Sequence, residues 1–172
     1  MEHTFFRKVL PCNPPEEILA QESIVSEHLE LVVLPGWWED GIDHRFAIIL
    51  KETGGIIGQI GITNIIRNVA QSAFIGYWIG DEYLNHGYAT EALVSALHYS
   101  FELARLHRIS LWIVPTNAPS LKMAAKLKLR YEGRALRSLN LGGNWQDTDI
   151  FAITYEEWIE RKDELYKLLH QP

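Results

Sequence analysis

The chain has 172 residues, 47% hydrophobic and 22% charged, which fits one folded domain of roughly 150 residues rather than a disordered or fibrous chain. Its longest unbroken apolar run, Phe46 to Leu50, is far short of the about 20 residues that cross a membrane. A net charge of -6 argues against broad electrostatic adhesion to nucleic acid, and the single Cys12 excludes an internal disulfide and a multi-cysteine metal site. The His residues follow no ligand spacing, so no metal is expected. Met1-Glu2-His3 lacks the basic-then-apolar opening of a signal peptide, so a cytoplasmic address with no membrane partner is expected.

Thr4 to Leu10 reads as a first strand. Pro14-Pro15-Glu16-Glu17 reads as a helix opening, with Ile18, Ile24, Val25, Leu29 and Leu31 as a loose helical stripe. Residues 11–44 carry Glu16, Glu17, Glu22, Glu27, Glu30, Glu39, Asp40 and Asp43 and no Lys or Arg. That run is either a solvated face or a surface that steers a cationic partner. Phe46 to Lys51, the turn Glu52-Thr53-Gly54-Gly55, Ile56 to Ile66 and Ser72 to Ile79 read as a three-stranded meander. From Tyr88 the period changes to that of a helix, with Ala89, Leu93, Leu97 and Phe101 every four residues and small residues beside them. Arg108 to Val114 reads as a buried strand, and Asn117 as the N-cap of a helix through Lys126. Arg130 to Leu141 and Gln146 to Ile153 form a hairpin about Gly142-Gly143. Thr154-Tyr155-Glu156-Glu157 is a capping box for a last helix. The order predicts a mixed α/β sheet with helices on its faces.

Chemistry concentrates where the strand ending at Ile79 gives way to a helix through Gly80-Asp81-Glu82-Tyr83-Leu84-Asn85-His86-Gly87-Tyr88-Ala89-Thr90. First-turn N–H groups have no acceptor within the helix, and the helix dipole places partial positive charge at the same spot, so such a turn can bind phosphate. Gly87 lets a diphosphate approach the backbone, and Ala89 keeps the first turn uncrowded. A strand–turn–helix junction with one glycine also occurs without any ligand, so the turn alone leaves a plain junction open. Gly55-x-x-Gly58-x-x-Gly61 opens no helix and reads as strand glycines rather than a dinucleotide loop.

Three stretches taken together, Gly76-Tyr77-Trp78-Ile79, His86-Gly87-Tyr88-Ala89-Thr90-Glu91-Ala92 and Asn117-Ala118-Pro119-Ser120, resemble the GNAT superfamily of acyl-CoA-dependent N-acetyltransferases. They look most like its Rim-type branch, which modifies the N-terminal amines of ribosomal proteins. The resemblance runs from about Phe46 to Trp158, with its specificity in residues 76–133; residues 1–44 match poorly. It implies one α+β domain in which a mostly antiparallel sheet splays between two central strands, with helices on both faces. Residues 46–158 would form the cofactor core and residues 1–44 the acceptor side.

The resemblance implies acetyl-CoA as acyl donor. Its pyrophosphate would lie on the turn Leu84, Asn85, His86, Gly87, Tyr88, Ala89 and Thr90, and its pantetheine arm along Trp78, Ile79 and Gly80. Asn117 would contact that arm, and the Ser120 hydroxyl, the catalytic candidate, would steady the departing thiolate; a capped helix and nothing more is the alternative for this pair. The acceptor implied is a primary amine on a basic protein N-terminus, with a small amine as the alternative and a catalytically weak acyl-CoA-binding module as a different class of reading. A monomer or homodimer is expected.

Four places depart from the family pattern. Leu84 and Asn85 stand where a Gln or Arg and another Gly are usual, Ala124 where many relatives have a Tyr that acts as general acid, and Leu139 where some Rim-type members have a Glu that acts as general base. Lys128-Leu129 replaces the usual Gly-Phe. No base is assigned: Asp81 and Glu82 read as solvated or bonded to the turn's amides, His86 as facing the phosphates or solvent rather than acting as base, Glu91 as a surface salt bridge or, less favoured, a group looking toward the acyl end, and a water relay is the preferred route. Trp37, Trp38 and Glu39 are either an aromatic wall for a cationic amine or core anchors. Lys122, Lys126, Lys128, Arg130, Arg134 and Arg137, set against Glu132 alone, either serve the outer phosphates or form an exposed edge.

Overall fold

Alternation of apolar and polar residues builds most of the protein, because a two-residue period puts one side-chain set on one face of a pleated strand. The computed structural model describes residues 23–34 and 43–168. Among them are strands β1 (Ser23–Val25), β2 (Leu29–Val33), β3 (His44–Leu50), β4 (Gly55–Ile66) and β5 (Ser72–Ile79). Helix α1 (Tyr88–His98) runs on into a wider π-type turn (Tyr99–Leu103) and is followed by β6 (Arg108–Ile113), α2 (Ala118–Lys126), β7 (Arg130–Leu141), β8 (Asn144–Thr154) and α3 (Tyr155–Lys167). The strands form one sheet in the order β1-β2-β3-β4-β5-β6-β8-β7. All neighbours are antiparallel except β5 and β6.

Segment 23–33 corrects the sequence reading. Ile24, Val25, Leu29 and Leu31 do not share a helix face; they lie in a hairpin closed by Ser26-Glu27-His28. Leu29 and Leu31 are fully buried while Glu30 and Val32 are half-buried, which is a strand period. Thr4 to Leu10, the helix opening at Pro14, and Trp37, Trp38 and Glu39 lie outside the described residues.

One sheet face carries the core. Phe46 and Ile48 of β3, Ile60 and Ile62 of β4, Ala73 and Ile75 of β5, and Ile109 and Leu111 of β6 are buried there with Leu93 and Leu97 of α1. Ala92 and Ala96 let that helix lie close, and Trp158 of α3 stacks on Phe101 at 5.6 Å while donating its indole N–H to Glu102. The opposite face exposes Trp78 and Trp112. The capping box expected at Thr154 and Glu157 is present.

His44 is fully buried, its Nδ1 3.1 Å from the Tyr99 hydroxyl, and burial together with the Arg67 guanidinium lowers its pKa to about 4. An unfolded imidazole titrates near 6.5, so between these values the unfolded chain binds the proton that the folded one refuses. Stability is therefore full above about pH 6.5 and falls by up to about 3 kcal/mol as pH drops to about 4. His44→Gln should flatten that slope, whatever its constant cost. Urea unfolding of both proteins at about pH 7 and about pH 4.5 measures it; equal slopes would refute the assignment.

Candidate active site

Strands β5 and β6 pair only through Ser72, Ala73 and Phe74, opposite Arg108, Ile109 and Ser110. Beyond Phe74 they part, while β4 stays paired to β5 as far as Ile79, and β8 to β6 as far as Ile113. Gly58 permits this close pairing of β4: a Cβ there would sit 2.3 Å from the Trp78 carbonyl oxygen. The edge of β5 from Ile75 to Ile79 thus faces a gap, and a cleft of about 500 Å³ opens beside it.

Ten of the twelve cofactor residues expected from sequence line that cleft: Trp78 and Ile79 from β5; Leu84, Asn85, Gly87, Tyr88, Ala89 and Thr90 from the turn and α1; Asn117 and Ser120 from α2. Gly80 and His86 do not. The Gly80 N–H is bonded to the Ile57 carbonyl, and His86 stacks on Tyr88 at 5.6 Å. Tyr77, Tyr83, Pro119, Lys122, Met123 and Lys126 complete the wall.

The turn has the geometry an anion site needs. Gly87, the N-cap of α1, adopts φ 84°, and nothing lies within 4 Å of where its Cβ would be. The N–H groups of Tyr88, Ala89 and Thr90 have no helical acceptor, and among the described residues no side chain caps the helix. Asn85, in place of the usual glycine, takes φ 65°, a left-handed conformation that Asn tolerates better than most residues. The Asn117 Oδ1 accepts the Ser120 N–H at 3.2 Å, which fixes the start of α2. From across the gap the Tyr77 hydroxyl meets Ser120 Oγ at 2.9 Å, and burial raises the Tyr77 pKa above its ordinary value. Sequence reasoning missed Tyr77, although the residue stood inside a quoted motif.

Residues 9–130 match the acetyltransferase (GNAT) domain. The chain belongs to that family. It is 32% identical over 111 residues to a probable N-acetyltransferase, YjcK, of Bacillus subtilis, covering 64% of this chain and 61% of that protein. It is also 32% identical to the [ribosomal protein uS5]-alanine N-acetyltransferase of Escherichia coli over 70% of this chain and 62% of that one. The chain thus spans about three fifths of the length of these curated relatives. The fold is similar to that of Mycobacterium smegmatis RimJ in complex with CoA-disulfide, with a TM-score of 0.65 at 38% identity over 68% of this chain and 55% of that one.

Elsewhere in this GNAT domain the charges are arranged otherwise than expected. Glu91 is not a surface salt bridge. It is buried in the first turn of α1, where its carboxylate accepts from the Ser26 hydroxyl and the backbone N–H groups of His28 and Leu29, and lies 3.0 Å from His28 Nδ1. One side chain so ties the β1–β2 turn to the helix that starts at the cleft, where the dipole favours its charge. The basic cluster also divides. Lys122 and Lys126 face the cleft, whereas Lys128 pairs with Glu164, Arg130 with Glu132 and Glu157, and Arg134 with Asp149.

Glu91→Ala should cost about 2–4 kcal/mol, because it strands the buried Leu29 N–H and removes three further bonds. The thermal midpoint should fall by roughly 5–15 °C. A loss under about 1 kcal/mol would show that the carboxylate holds nothing essential.

Proposed function

We propose that this GNAT domain is an acetyl-CoA-dependent N-acetyltransferase that transfers an acetyl group directly to a primary amine, with a protein N-terminal α-amine as its acceptor. The observation that carries the reading is the convergence on one cleft of three elements: the unpaired edge of β5, the open turn at Gly87, and the Asn117–Ser120 start of α2. These residues fit coenzyme A chemically. The first-turn N–H groups of α1 suit its pyrophosphate, Lys122 and Lys126 its outer phosphate, and the free strand edge an amide-bearing arm. The bound thioester supplies an activated carbonyl. The amine nitrogen forms the new N–C bond, the C–S bond breaks, and the amine's extra proton passes to solvent. The domain's share of catalysis is to hold the reactants together and to offer donors where negative charge develops.

The choice of an α-amine rests on what the cleft lacks. Among the described residues its lining includes no carboxylate and no imidazole. Such a lining suits an acceptor that is neutral by its own acidity. At neutral pH an α-amine with pKa about 8 is roughly a tenth neutral, while a lysine-type amine with pKa about 10.4 is neutral in fewer than about one molecule in a thousand. A cleft whose described lining offers no carboxylate or imidazole suits the first acceptor, with backbone carbonyls and water relaying the proton.

Calorimetry with acetyl-CoA, followed by thiol release with N-terminal peptides and with spermidine, tests the reading. Saturable binding and turnover on peptides are expected. Gly87→Glu should weaken acetyl-CoA binding by at least about a hundredfold, because it adds left-handed strain and a like charge at the proposed phosphate site. Well-folded protein that shows no saturation with coenzyme A would end the proposal, and turnover confined to spermidine would end the α-amine assignment.

A further inference from the structure

Ser120 is the third residue of α2, after Ala118 and Pro119, and its backbone N–H is already committed to Asn117. Serine hydroxyls inside helices commonly turn back onto the carbonyl four residues behind. At this position that residue is Thr116, which precedes the helix, and among the described residues the Ser120 hydroxyl bonds to no backbone carbonyl. The Ser120 oxygen instead lies 2.9 Å from the Tyr77 hydroxyl, and both residues line the cleft where β5 has left β6.

Each of these hydroxyls has a single hydrogen, and the direction of the bond between them decides what Ser120 can do. A phenol is a far stronger acid than an aliphatic alcohol and so the better donor, which assigns the shared hydrogen to Tyr77. Ser120 then accepts through one lone pair, and its own hydrogen is left to point elsewhere.

We propose that Tyr77 is a positioning residue that donates to Ser120 Oγ and so turns the Ser120 hydroxyl hydrogen into the cleft, toward the sulfur of coenzyme A. Tyr77 keeps its proton throughout. It transfers nothing to the thiolate, whose thiol, with an ordinary pKa of about 8.5, is the stronger acid of the two. Its contribution is orientation: a hydroxyl already aimed at developing negative charge needs no reorganisation when the C–S bond breaks. The inference rests on the acetyl-transfer reading and explains how a chain with Ala124 in the usual tyrosine position still presents a donor to the leaving group. Ala124 itself is fully buried.

The test uses coenzyme A alone, bound to the whole chain, with the thiolate followed by its ultraviolet absorbance as pH is raised. A hydroxyl aimed at sulfur favours the thiolate, so the bound thiol should titrate about one unit below the free thiol. Tyr77→Phe and Ser120→Ala should each return it most of the way to the free value, and the double variant should go no further than either. Ser120→Thr, which keeps a hydroxyl, should retain the lowered value. With a peptide acceptor, Tyr77→Phe should lower kcat about tenfold while coenzyme A affinity, measured well below the thiol pKa, stays within about twofold. A bound thiol that titrates alike in wild type and Tyr77→Phe, or effects that simply add in the double variant, overturns this proposal and leaves the acetyl-transfer reading standing. Failure of the wild-type chain to bind coenzyme A overturns both.

Discussion

The loss of pairing between β5 and β6 after Phe74 is the constraint on which the site depends. A parallel pair can run together for its full length, yet these two strands share only three residue pairs. Each strand is held from its other side, β5 by β4 through the close approach at Gly58, and β6 by β8 through Asp149. The sheet therefore opens without coming apart. Backbone groups on an unpaired edge need water or a ligand, because leaving them buried and unbonded costs free energy comparable to a lost hydrogen bond. The start of α1 repeats the same physics a few residues later, with first-turn N–H groups that no side chain caps. Both halves of the cleft are thus places where regular hydrogen bonding has been interrupted, and the two interruptions face one another.

Two of the departures from the family pattern, Asn85 and Lys128, take a left-handed backbone that glycine adopts freely. Asn85 does so at φ 65° in the turn before α1. Lys128 does the same at φ 48° after α2, and Leu129 enters the core where a phenylalanine is usual. A lysine in that conformation carries a strain of about 1–2 kcal/mol that glycine would not. The surrounding bonds, Lys128 N–H to Ala125 and Leu129 N–H to Ala124, hold the turn closed despite it.

The sequence made the central and C-terminal elements legible because their local signals are strong: aromatic and β-branched residues along Ser72–Ile79, a four-residue repeat from Ala89, a capping box at Thr154. The β1–β2 hairpin was misread because Ile24, Val25, Leu29 and Leu31 satisfy a loose helical spacing as well as a strand one, and only packing decides between them. Contacts distant in sequence left no signal at all. Glu91 reaches partners 62 to 65 residues away, and Tyr77 meets a serine 43 residues on. The basic cluster looked uniform for the same reason, since Asp149, Glu157 and Glu164 come to it from β8 and α3.

Strand β5 also separates what the motif Gly76-Tyr77-Trp78-Ile79 had merged. Successive side chains point to opposite faces, so Tyr77 enters the core face with Ile75, while Trp78 stands 57% exposed on the other. There it borders a hollow of about 270 Å³ whose floor is the cross-strand pair Gly61 and Gly76 and whose walls include Gln59, Thr63 and Arg45. A strand-type hydrogen bond from Trp78 to a ligand along the open strand edge uses its backbone, which every residue but proline can supply in full. The indole stands toward the opposite face, and the tyrosine beside it is the polar side chain of this motif that meets Ser120 at the proposed chemistry.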